Sequence, residues 1–183
     1  MYILAKQLKK LPVISLQTGQ SIGLIDKPLI NQDDLEVAAL WCHASRFSRK
    51  KGIILIRDIR QFATDCIIID SFDEIEDPNE IIRLHKVAEH DFEPIGKLVV
   101  NESGQQLGRV QDYTINLGSN LLQKLYVHQS LMKSLMFNNL VIDRTQIIDV
   151  SQKRFTVQDA IAPETELAPQ SYRKGRYPQP KRL

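Results

Sequence analysis

No stretch of this 183-residue chain approaches the 18 or more consecutive apolar residues of a membrane-spanning helix. From Met1 to Leu11, apolar residues alternate with Lys6, Lys9 and Lys10, without the apolar core or small-residue cleavage site of a secretory signal. The expected location is therefore cytoplasmic, with peripheral attachment to a membrane left open. Cysteine is scarce: Cys42 and Cys66 are too few for a disulfide framework and sit in apolar stretches, which predicts two reduced core residues. A basic excess is missing from the body of the chain. From Pro163 onward five basic residues stand against Glu164 and Glu166, a net +3, which leaves about −1 for the rest of a +2 chain. By composition the folded part is not a nucleic-acid binder. The 43% hydrophobic and 25% charged content is that of an ordinary globular protein.

What is present is a repeat. Thr18-Gly19-Gln20-Ser21-Ile22-Gly23 returns 85 residues later as Ser103-Gly104-Gln105-Gln106-Leu107-Gly108. The same offset lays Ile30-Asn31 on Ile115-Asn116, Leu40-Trp41 on Leu125-Tyr126 and His43 on His128. It continues with Leu55 on Leu140, Asp58 on Asp143 and Gln61 on Gln146. Each copy reads as short strands. In the first these are Val13 to Leu16, Ser21 to Asp26, Leu35 to His43, Gly52 to Arg57 and Cys66 to Asp70. In the second they are Gly96 to Asn101, Leu107 to Ile115, Leu121 to His128, Asn139 to Asp143 and Arg154 to Gln158. Short β-branched runs such as Ile67-Ile68-Ile69 favour strand over helix, and strands so closely spaced predict a small barrel or sandwich. Gly19 and Gly104 are expected at positive φ in hairpin turns, Gly23 and Gly108 at bulges or close backbone crossings. Between the copies, Asp77-Pro78-Asn79-Glu80 carries helix-start signals, and Ile81, Ile82, Leu84, Val87 and Ala88 recur near helical spacing before Pro94.

The second copy, from Ile95-Gly96-Lys97-Leu98-Val99 through Ser103-Gly104-Gln105-Gln106-Leu107-Gly108-Arg109-Val110-Gln111-Asp112, resembles the PRC-barrel domain. In the first, Asp58-Ile59-Arg60-Gln61-Phe62-Ala63-Thr64-Asp65-Cys66-Ile67-Ile68-Ile69-Asp70 is similar to that domain's closing segment. The resemblance covers roughly 13–161 apart from the connector, and it identifies a fold better than a function. It implies a small β-barrel of the kind found in the cytoplasmic part of the photosynthetic reaction centre H subunit and in a ribosome maturation factor. The chain lacks the former's transmembrane helix and the latter's N-terminal domain. The shared denominator is a protein-docking barrel beside a larger assembly.

Catalysis needs a nucleophile with a base, or carboxylates in a cleft. Asp58 and Asp143 each follow a strand, where capping the next turn is the expected role. His43 and His128 would either meet across a pseudo-twofold interface or hold symmetric structural positions, and the three or four spaced ligands of a metal site are missing. No catalytic residue, metal or cofactor is therefore expected. The copies differ most in one loop: Arg46, Phe47, Arg49, Lys50 and Lys51 make it basic in the first, whereas Leu131, Met132, Leu135, Met136 and Phe137 make it apolar in the second. Basic loops meet phosphates, anionic lipid or acidic protein faces, and Met-rich surfaces adapt to partners. The Pro-rich tail cannot build a core, and Tyr172, Arg173, Lys174, Arg176 and Tyr177 form its candidate binding motif, for RNA bases or for protein.

The sequence thus predicts a mainly β chain of two tandem PRC-like barrels. They occupy 1–76 and 94–161, with a helical connector at 77–93 and a disordered basic tail at 162–183. The expected function is a non-catalytic protein-binding adaptor or assembly factor, at the cytoplasmic face of a membrane complex such as a photosystem. The alternative is an RNA- or ribosome-associated maturation factor.

Overall fold

The computed structural model describes residues 1–44, 51–129 and 139–159. The chain is mainly β, with two curled sheets and two helices. Its elements in chain order begin with β1 (Tyr2–Leu4), α1 (Ala5–Leu8), β2 (Pro12–Ser15), β3 (Ser21–Ile30) and β4 (Val37–Ala44). Next come β5 (Gly52–Leu55), β6 (Ile59–Phe62), β7 (Ile67–Ile69) and α2 (Ile82–His90). The second series is β8 (Leu98–Asn101), β9 (Gln106–Asn116), β10 (Leu121–His128), β11 (Asn139–Asp143), β12 (Ile147–Val150) and β13 (Arg154–Val157).

The first sheet has the order β5-β4-β3-β2-β7-β6, and the second repeats it as β11-β10-β9-β8-β13-β12. Neighbours are antiparallel except β2 with β7 and β8 with β13, which run parallel. In each sheet a three-residue 3-10 turn, Ile56–Asp58 or Arg144–Gln146, joins the strands at the two ends of this order. So short a link cannot cross the width of a flat six-stranded sheet, so each sheet is curled. The sheets are not independent: β1, at the start of the chain, pairs with β9 of the second (Tyr2 opposite Asn116). One apolar cluster also runs through both, from Val13, Ile25 and Leu40 to Tyr113, Leu125 and Phe155.

The register of pairing corrects the sequence offset. The offset of 85 holds across β3 and β4, where Leu29 faces Ala39 as Thr114 faces Lys124. In β5 it becomes 88, because Ala39 faces Leu55 whereas Lys124 faces Asp143. The same 88 persists through β6 and β7, where Ile59 faces Ile69 as Ile147 faces Val157. The matches of Leu55 with Leu140, Asp58 with Asp143 and Gln61 with Gln146 are thus three residues out of register. The three extra residues lie in the loop between β10 and β11.

The glycines hold the places expected of them. Gly19 and Gly104 turn hairpins at φ +65° and +80°. Gly23 and Gly108 lie where strands crowd: a Cβ on Gly108 would stand 2.3 Å from the His128 carbonyl oxygen, and one on Gly23 would stand 2.7 Å from Cys42 Sγ. Cys42 is buried and Cys66 only half-buried, and both are free thiols.

Helix α2 starts later than its sequence signals suggest. Asp77 and Pro78 belong to a preceding turn, in which Asp77 Oδ1 accepts from the Asn79 N–H at 2.9 Å. The helix lays Leu84, Val87 and Ala88, with Ile81 just before it, on the outer face of the first sheet. There Leu29, Ala39, Ile53 and Leu55 form a second apolar cluster. Lys27 Nζ on β3 pairs with Asp91 Oδ2 at 2.7 Å just past the helix end. The equivalent face of the second sheet presents Thr114, Lys124, Val141 and Asp143. Three of these four positions are polar, where the first sheet has four apolar ones.

Candidate functional site

Of the residues predicted to bind partners, only Lys51 lies within the described structure. Arg46, Phe47, Arg49, Lys50, Leu131, Met132, Leu135, Met136, Phe137, Tyr172, Arg173, Lys174, Arg176 and Tyr177 lie outside the described residues. Lys51 Nζ, just before β5, sits 2.6 Å from Asp26 Oδ2 on β3, one strand beyond β4, with His43 Nε2 of β4 at 3.7 Å from the same oxygen. The hydrogen bond from Lys51 holds the Asp26 carboxyl below its ordinary range, against a smaller opposing effect of burial.

The two unlike loops follow Ala44 at the end of β4 and His128 at the end of β10. Glu36 and Leu121 form an antiparallel bridge where the two sheets meet. From that bridge β4 and β10 run in opposite directions. At about 3.3 Å per residue, each carries its far end on the order of 25 Å away. The ends of β4 and β10 that lead into the basic and apolar loops therefore point in opposite directions. His43 and His128, near those ends, do not meet across the interface, and both are exposed. Among the described residues no cluster of three or more His, Cys, Asp or Glu could hold a metal ion.

Asp143 and Asp58 separate in role as well as in register. Asp143 Oδ1 accepts from the Thr145 N–H at 3.0 Å, and Gln146 Oε1 accepts from the Asp143 N–H at 2.8 Å, a reciprocal cap of the 3-10 turn. Partial burial pushes the Asp143 carboxyl up, but the bonds from Thr145 and Gln123 outweigh it and hold it below its ordinary value. Asp58 lies inside its own turn, 3.6 Å from Arg57 Nε, and among the described residues that turn has no side-chain cap. Leu55 takes the equivalent capping position.

A cleft at the meeting of the two sheets escaped the sequence reading. It encloses about 330 Å³ between the turn Gln32 to Leu35 and the corner Arg144 to Val150. Gln32 Nε2 donates to the Val150 carbonyl at 3.1 Å, and Arg144 Nη2 donates to the Asp34 carbonyl at 2.8 Å, so each sheet holds the other. Gln32 Oε1 and Arg144 Nε are buried without a partner among the described residues. Asp33, Asp34 and Asp149 add negative charge around the cleft. The residues come from positions more than a hundred apart in sequence, and no local spacing announces them. Elsewhere, burial pushes the Asp112 carboxyl and the Tyr113 hydroxyl up and raises the Cys42 thiol to about 12.

The chain matches no protein-family model and no curated protein. Among the described residues no helix is long and apolar enough to cross a membrane.

Proposed function

We propose that the chain is a non-catalytic adaptor or assembly factor made of two tandem PRC-like barrels, with α2 as their linking helix. It docks a protein partner at the cytoplasmic face of a membrane complex, a photosynthetic one by the family resemblance. The observation that carries this reading is where the copies diverge. Strand order, parallel pairing and the crowded glycines repeat. The largest length difference, three residues, is confined to the loop between β4 and β5 against that between β10 and β11. A conserved frame with changed loops is the pattern of a recognition scaffold. Because the strand ends point in opposite directions, the two loops address either two partners or two separate patches of one.

A tagged pull-down at moderate salt, comparing membrane and ribosomal fractions, tests this reading. Recovery of a membrane complex that is weakened by replacing Leu131, Met132, Leu135 and Met136 with serine supports it. Recovery of ribosomal particles that salt disrupts, and that is lost on changing Arg173, Lys174 and Arg176 to glutamate, replaces it with ribosome maturation.

A further inference from the structure

The duplication gives the cleft between the two sheets a twin. The turn that forms one wall repeats at the offset of 85: Asn31 Oδ1 accepts from the Asp33 N–H at 3.3 Å, as Asn116 Oδ1 accepts from the Gly118 N–H at 2.9 Å. Leu35 and Asn120 close the two turns at φ +60° and +58°. The corner that forms the other wall repeats at the offset of 88, since Val150 faces Phe155 as Phe62 faces Ile67. The counterparts of Gln32 and Arg144 are therefore Leu117 and Ile56, both packed against the shared apolar core. Asp33, Asp34 and Asp149 answer to Gly118, Ser119 and Gln61. Ile148 answers to Arg60, which is paired with Asp70.

This divergence runs against simple packing. Gln32 and Arg144 each hold the opposite sheet with one group, yet keep Oε1 and Nε buried without a partner among the described residues. Buried polar atoms left unpaired destabilise a fold, a cost that the leucine and isoleucine of the twin do not carry. Asp33, Asp34 and Asp149 are exposed, and among the described residues none of them forms an ion pair. The lining holds these three carboxylates against the one guanidinium of Arg144. Ile148, 50% exposed, sets an apolar surface beside them.

The geometry points to this cleft as a binding site for a basic peptide. The guanidinium or ammonium of an arginine or lysine enters among Asp33, Asp34 and Asp149, with its aliphatic stem along Ile148. Gln32 Oε1 is a further acceptor without a donor. At about 330 Å³ the cleft lies at the small end of ligand sites and has room for one such side chain. The twin, with glycine, serine and glutamine in place of the three carboxylates, has nothing to hold a cation. The site is independent of which complex the divergent loops address, because every residue it uses belongs to the corner where the sheets meet.

Titration of the full-length, isotope-labelled chain with the blocked tripeptide glycyl-arginyl-glycine, read by amide chemical shifts, tests the assignment. Shifts should concentrate at Asp33 to Leu35 and Ile147 to Val150, saturate in the millimolar range, and leave Gly118 to Asn120 and Ile59 to Phe62 unmoved. The same peptide with citrulline for arginine, which keeps the shape and lacks the charge, should produce none. Asp33→Asn and Asp149→Asn should each weaken binding about threefold, the worth of one exposed ion pair. Asp73→Asn, on the surface of the first copy, should not change it. Gln32→Leu combined with Arg144→Ile installs the residues of the twin and should abolish binding. An absence of shifts at the cleft, equal shifts with citrulline, or binding indifferent to Asp33→Asn and Asp149→Asn would each overturn the proposal.

Discussion

The backbone carbonyl of Leu35 accepts a hydrogen bond from the N–H of Leu122 at 3.0 Å, and the relation has a twin. The Asn120 carbonyl accepts from the Val37 N–H at 2.7 Å. Leu35 and Asn120 are equivalent at the offset of 85, as are Val37 and Leu122, so the pair of bonds is exchanged about an internal pseudo-twofold axis. Both acceptor residues are left-handed, at φ +60° and +58°. A hairpin turn ends in the same strained residue in each copy, and that conformation presents the carbonyl to the other copy. The duplication has thereby become an interface.

This geometry sets the tolerance of position 120. Glycine visits the left-handed region freely, and asparagine does so more readily than other residues, whereas a β-branched residue is strained there. Asn120→Gly is expected to leave stability unchanged or raise it by up to about 1 kcal/mol. Asn120→Val should lower it by about 1–2 kcal/mol. Urea denaturation of the three proteins measures the difference.

The crowded glycines give a coupled prediction. Gly23→Ala and Gly108→Ala should each cost about 1–3 kcal/mol, since the new methyl meets a neighbouring strand. At Gly23 the nearest atom is Cys42 Sγ, so Cys42→Ala should recover part of the loss in the Gly23→Ala background. At Gly108 the obstacle is backbone, and Cys42→Ala should recover nothing. A double-mutant cycle separates the two cases.

Helix α2 should be held by its inner face alone. Leu84, 7% exposed against the first sheet, should cost about 2–3 kcal/mol when cut to alanine. Ile82, 91% exposed, should change stability by no more than about 0.5 kcal/mol when replaced by lysine. Thermal unfolding followed by circular dichroism reads both.

Asp112 predicts a pH dependence of definite sign. Burial raises its folded-state carboxyl above the ordinary 3.8, although Oδ1 accepts from the Tyr113 N–H at 2.9 Å. The folded chain therefore holds this proton more tightly than the unfolded chain does. The charged carboxylate disfavours folding at neutral pH, and the penalty fades as pH falls through the raised value toward 3.8. Asp112→Asn retains an acceptor without the charge. It should raise the urea midpoint at pH 7, and the gain should shrink as pH falls through the raised value toward 3.8.

The parts of this architecture visible in the sequence are those encoded locally. Isoleucine-rich runs marked β5 and β7, and the paired glycines marked turns and crossings. The strands β6 and β12 were not visible: Ile59–Phe62 and Ile147–Val150 are short, lack buried residues and follow the 3-10 turns without a break in composition. Nor was β1 visible, because Tyr2 to Leu4 gains its meaning only from pairing with residues 114–116. The offset error after β4 came from coincident Leu, Asp and Gln, which mimic an ungapped match across a loop of unequal length. Cleft residues such as Gln32 and Arg144 are joined only by the fold.

The shared core and the exchanged bonds at Leu35 and Asn120 predict that the two copies of the module unfold as one unit. Trp41 is the only tryptophan and reports the first copy, whereas far-ultraviolet circular dichroism reports both. Equilibrium unfolding in urea, followed by the two signals together, tests the claim. One coincident transition is the predicted result. A tryptophan transition separated from a second dichroism transition would contradict it, because the two modules would then fold as independent domains.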